Sequence, residues 1–304
     1  MKICRAVIPP LLLAMAAACA EAERDTVVYH PDKAEAQVAP TARSSHRNPI
    51  SPFPPDTTAI ANSSDEPVGT SNTRESTARE KWFDLADAFL RTTVSDEGLV
   101  FYEKARKDKK ELDTLIEGLA PKQSFDATAD KLVWHVNAYN LIVIGQVLEH
   151  GPLESVQDIQ GFFKKIKHRV NGSDLTLSDL EGKILRPLDE PRIHAALVCG
   201  AASCPPLRRG AFTAEKFDEQ FDRITRRWIN DPTKNRIQDD QLRLSEIFKW
   251  YKSDFTNESY RGVVDFVARH ADTDSAIARL AASDSPPPVR YLEYDWSLNA
   301  AAED

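Results

Sequence analysis

The sequence predicts an α+β fold, a mainly helical single domain with small antiparallel hairpins. Three observations predict it. Apolar residues recur at helical spacing through most of the chain beyond residue 78. Short strand-like pairs flank tight-turn dipeptides. Strands and helices do not alternate as a parallel α/β sheet requires.

The chain opens with an expected export signal at residues 1–18. Lys2 and Arg5 form a positive start. The apolar run that follows, through Ala18, is too short to span a bilayer comfortably. Small residues before Cys19 suggest a bacterial lipobox, with Cys19 the lipidated residue. Ala16 stands where Leu is commoner, so ordinary cleavage nearby is the alternative. Residues 19–78 read as a disordered tether. They are polar and rich in scattered prolines, and cannot bury enough apolar surface to offset chain entropy. Such a tether reaches roughly 40 Å.

The folded domain is expected over 79–299, with a short tail at 300–304. Trp82, Phe83, Leu85, Ala86, Phe89 and Leu90 form a first helical face, and Leu99–Tyr102 reads as an extended piece. Leu112, Leu115, Ile116 and Leu119 mark a second helix, stopped by Pro121. A longer helix over 126–149 is apolar nearly all round in its second half, so it should be buried. Asn171-Gly172 suits a hairpin turn. Ser178 with Glu181 reads as a capping box. The run Ile193–Val198 favours a buried strand. Residues 213–229 form an amphipathic helix, Asp239-Asp240 turns a second hairpin, and Ser245 caps another helix. Two further helices reach about Ala282, and 289–294 reads as a closing strand.

Composition restricts function. The formal charge is −8. Loss of Lys2 and Arg5 with the signal makes it −8 − 2 = −10. No basic stripe exists for phosphate, so nucleic acid is excluded as a partner. Membrane contact is expected only through the lipid anchor. Of the cysteines, Cys4 is expected to leave with the signal, and Cys19, if lipidated, is no longer a thiol. That leaves Cys199 and Cys204 in an oxidising compartment.

Three segments carry candidate chemistry. In Trp134–Asn140, the amides Asn137 and Asn140 share one face of an apolar helix, with Tyr139 adjacent. They either clamp a neighbouring loop or serve a site. In the second segment, His194 sits in an apolar run, where a core role competes with a catalytic one. Arg186 and Arg192 flank it as candidate binding cations. The third segment, Cys199–Pro206, describes a tight loop containing Ser203 as a candidate binding hydroxyl. Its cysteines can form a disulfide, a reactive thiol or two buried free thiols. Zinc and thioredoxin spacings are both missing, so no metal and no cofactor are expected.

The segments Trp134–Asn140, Pro191–Ala195, Cys199–Leu207 and Tyr294–Asn299 together resemble the bacterial domain of unknown function 547. The resemblance extends over roughly residues 80–299. Ala195-Ala196 follows His194 where that family tends to carry Phe-Ala. The resemblance implies motifs and a domain boundary but no mechanism, and it fits export, which is frequent among members.

The leading expectation is therefore a ligand- or protein-binding domain in the periplasm or cell envelope, tethered by lipid, with an unknown envelope component or protein as partner. A Cys/His hydrolase or acyl transferase is the first alternative. It would use Cys204 or Cys199 as nucleophile, His194 as base and Asn137 or Asn140 to orient the ring or bind the oxyanion. If Ile193–Val198 were a strand, the odd spacing would set His194 and Cys199 on opposite faces, which favours Cys204. The second alternative is a thiol-disulfide redox protein.

Overall fold

The computed structural model describes residues 69–302, apart from 284 and 287. The signal 1–18, Cys19 and most of the tether lie outside the described residues. Helix α1 (Gly69–Thr93) begins before residue 79 and runs into the stretch read as tether. No proline follows Pro67 to prevent helix there, and the buried face starts at Trp82. Val100 makes only isolated bridges, to Val94 and Ala300, where an extended piece was expected. Tyr102 already opens α2 (Tyr102–Lys107), followed by α3 (Lys109–Glu117).

Helix α4 (Thr128–Glu149) is the centre of the molecule. Every residue from Leu132 to Leu148 is buried. A helix apolar on all sides must be covered on all sides. Here α2, α3 and the segment after β2 pack around it. Each buried Leu, Ile or Val on it contributes about 1.5–3 kcal/mol of transfer free energy. Trp134 packs on Trp82 with ring centroids 4.4 Å apart, and the Trp82 indole N–H donates to the Leu115 carbonyl at 2.9 Å.

Strands β1 (His168–Val170) and β2 (Ser173–Leu175) pair antiparallel around Asn171-Gly172. Both turn residues have positive φ, 48° and 75°, which Asn and Gly tolerate best. The next cap differs from the expected Ser178–Glu181 box. Thr176 and Asp179 form the capping box of α5 (Leu177–Asp179). The chain then continues as a π-helical turn (Leu180–Leu185) and a 3-10 turn (Arg186–Leu188). Because Asp179 satisfies the cap, Glu181 is released to the inside, where it is buried.

Ile193–Ala196 is a short helix, α6, and not the expected strand. A short apolar run does not distinguish the two by periodicity. Helix α7 (Phe217–Ile229) follows a 3-10 turn. Strands β3 (Arg236–Gln238) and β4 (Gln241–Leu244) form the second hairpin. Then come α8 (Ile247–Trp250), a 3-10 turn (Lys252–Phe255), α9 (Val263–His270) and α10 (Ala276–Ala281). The closing strand shrinks to β5 (Arg290–Tyr291), which pairs parallel with β4. The second sheet is therefore mixed. Among the described residues no helix is long and apolar enough to cross a membrane.

Candidate functional site

Four distant segments meet at one hollow. They are α4, the π-helical turn with α6, the Cys199–Cys204 loop, and α8 with the C-terminal Tyr294–Trp296. The hollow has about 410 Å³ of empty space, open mouth included. Tyr139, Trp250, Tyr251, Tyr294 and Trp296 supply aromatic walls, and His194, Glu181 and both cysteine sulfurs bring polar or reactive groups.

The imidazole of His194 is held from behind. Its Nε2 lies 2.9 Å from Asp254 Oδ2. Arg186 grips the same carboxylate with both forks, Nε to Oδ2 at 2.6 Å and Nη2 to Oδ1 at 2.8 Å. Below the ring, Tyr251 stacks at 4.1 Å between centroids, tilted by 30°. Desolvation by burial would raise the Asp254 pKa, but the hydrogen bonds from Arg186 and His194 outweigh it and hold the carboxyl well below the usual range. A fixed anion at Nε2 keeps a proton on that nitrogen, so in the neutral tautomer Nδ1 is the acceptor.

Glu181 has the opposite electrostatics. Burial pushes its carboxyl pKa up, opposed by a hydrogen bond with Tyr251 and the nearby charges of His194 and Arg186. Tyr294 is pushed up as well, first by burial and then by the charges of Glu181 and Glu246. It stays a protonated donor across the physiological range.

Cys199 and Cys204 are joined by a disulfide, with Cα atoms 6.3 Å apart. The Tyr294 hydroxyl is 3.3 Å from each sulfur. Cys204 Sγ also accepts the Cys199 backbone N–H at 3.0 Å. The loop is pinned to the C-terminal segment. Ala202 N–H donates to Ser297 O at 2.6 Å, Ser203 N–H to Asp295 O at 3.1 Å, and Asn299 N–H to Gly200 O at 3.0 Å. Lys234 Nζ donates to the Ala202 carbonyl.

The structure brings together His194, Cys199, Cys204 and Tyr139 from the candidates read in the sequence. The short helix α6 removes the strand parity argument, so His194 and Cys199 both reach the hollow. The other candidates are engaged elsewhere. Asn137 donates to Phe212 O at 2.8 Å and accepts from Phe212 N–H at 3.0 Å, so Asp254, and not Asn137, orients the imidazole. Asn140 donates to Ala196 O and accepts from Val198 N–H, both at 2.9 Å, which fixes the exit of α6. Arg186 stands behind Asp254. Arg192 is an ion-pair hub for Glu190, Asp218 and Asp222. Ser203 Oγ accepts the Asp295 N–H at 2.9 Å. In the bridged state neither sulfur is a free nucleophile.

Glu181 and Asp254 were missed by sequence reasoning. Its spacing from Ser178 assigns Glu181 to a cap. The signal for Asp254 was an acid set among core aromatics in Trp250–Phe255.

The fold and site define a helical α+β domain in which a half-buried Arg–Asp pair holds a buried histidine beside a disulfide loop. Residues 123–229 match the model of the family described as Protein of unknown function, DUF547, so this segment is similar to that family. The match contains the blocks at 134–140, 191–195 and 199–207, but not 294–299. No curated protein and no solved structure matches the chain.

Proposed function

We propose that this is an exported, lipid-anchored domain that binds a small ligand in the hollow. The observation that carries the reading is the His194–Asp254–Arg186 chain. A half-buried charge arrangement orients one imidazole toward an aromatic-walled hollow. Largely apolar walls with a few convergent polar groups are what small-molecule sites usually present. The ligand fitting this chemistry is small and largely apolar, with one group that hydrogen-bonds to imidazole and carboxyl. Cys19 provides the tether to the cell envelope.

Ligand-observed NMR with a fragment library tests the binding reading. Fragments are expected to bind the wild type at one competitive site, and His194→Ala and Glu181→Gln should weaken them while the exposed Lys110→Ala does not. Fragment binding unchanged by both hollow substitutions refutes the reading. The anchor is tested by detergent phase partition of the exported protein. Wild type should enter the detergent phase and Cys19→Ala the aqueous phase; equal partition overturns the tether.

A further inference from the structure

We propose that the Cys199–Cys204 bridge is a thiol–disulfide exchange site for a dithiol reductant, with Cys199 the attacked sulfur and Cys204 the leaving thiolate. This activity goes beyond ligand binding and does not depend on it.

The two sulfurs differ in access and in hydrogen bonding. Cys204 is 4% exposed, whereas Cys199 is only partly buried and lines the hollow. An incoming thiolate therefore reaches Cys199 first. Cys204 Sγ alone accepts the Cys199 N–H, at 3.0 Å, and the Tyr294 hydroxyl, 3.3 Å from both sulfurs, is placed to donate to whichever one carries the developing charge. Hydrogen bonds to the charged form stabilise a thiolate and lower its pKa. A leaving thiol of lower pKa departs faster. Burial keeps the Tyr294 hydroxyl protonated, so its donor is always available.

The atoms balance as follows. One thiol of the dithiol gives its proton to His194 Nδ1 and attacks Cys199 Sγ. The bond between Cys199 and Cys204 breaks, a mixed disulfide forms on Cys199, and the electron pair leaves on Cys204. His194 returns the proton to Cys204. The second thiol of the reductant then attacks its own bridged sulfur and releases Cys199, which takes the second proton. The dithiol is oxidised to a disulfide, and the protein gains two thiols.

The test uses the folded full chain without denaturant and dithiothreitol as the probe, with free thiols counted by alkylation and mass spectrometry. Wild type should be reduced within minutes, with its far-UV circular dichroism retained. Tyr294→Phe removes one donor, and reduction should slow about tenfold or more, the usual weight of a hydrogen bond to a charged group. A direct trap covers the case in which Tyr294→Phe folds poorly. Cys204→Ser should form a mixed disulfide with glutathione disulfide at Cys199, while Cys199→Ser should not do so at buried Cys204. The proposal is overturned if the bridge resists dithiothreitol until the protein is unfolded. Equal rates for wild type and folded Tyr294→Phe overturn it, as does preferential trapping at Cys204.

Discussion

Replacing Asp254 with Asn should be the most costly single-atom change in the site. The carboxylate accepts four hydrogen bonds, two from Arg186 at 2.6 and 2.8 Å, one from His194 at 2.9 Å and one from the Ser253 hydroxyl at 3.1 Å. An amide offers one oxygen, and its NH₂ faces a donor. The Arg186 side chain, only 14% exposed, loses its counter-charge. Removing one partner of a fully buried pair costs about 3–5 kcal/mol. Here Asp254 keeps 18% exposure, so solvent softens the loss. We expect about 2–4 kcal/mol, measured by urea unfolding at pH 7 with tryptophan fluorescence. The pH dependence provides a second check. The folded carboxyl has a depressed pKa, so its stabilisation is fully present above the unfolded value of 3.8 and is lost as pH falls through the folded value. The gap between wild type and Asp254→Asn should therefore narrow below about pH 4. A gap under about 0.5 kcal/mol at pH 7, or one that does not change with pH, would refute the charge-clamp reasoning.

Other outcomes follow from the same geometry. Asn140→Ala strands the buried Ala196 carbonyl and Val198 N–H, at about 1–3 kcal/mol each, so the urea midpoint should drop with an unchanged slope. Gly200 has φ +87° and an added Cβ would sit 2.9 Å from Val156 Cγ1 and 3.3 Å from Val143 Cγ1. Gly200→Ala should lose about 1–3 kcal/mol, read as a lower Tm by calorimetry. Glu181 has a raised folded pKa, so its contribution is complete below the unfolded value of 4.5 and is lost as pH rises through the folded value. Glu181→Gln should remove that loss, and its stability relative to wild type should improve from pH 5 to pH 8 in urea titrations. A constant difference would contradict the burial assigned to this carboxyl.

The helical framework was legible because α4 and α7 carry sustained apolar periods, and Asn171-Gly172 and Asp239-Asp240 demand positive φ. Two local readings failed for physical reasons. Ile193–Val198 is too short for its period to separate helix from strand. The capping pair was displaced by two residues because Thr176 and Asp179 offer the same chemistry as Ser178 and Glu181. That second error hid Glu181, since a capping carboxylate belongs outside. Asn137 and Asn140 were readable as amides needing partners, but their partners, Phe212 and the exit of α6, lie 75 and 56–58 residues away. Asp254 is 60 residues from His194, and no local pattern encodes that pairing.

A crystal structure of the protein soaked with its tightest-binding fragment tests the convergence of His194, Glu181 and the bridge most directly. The account predicts the fragment in the hollow, within hydrogen-bond reach of His194 Nδ1 or the Glu181 carboxyl and against Trp296. A fragment bound at a different surface, with Leu197 and Trp250 closed over the imidazole, would contradict it.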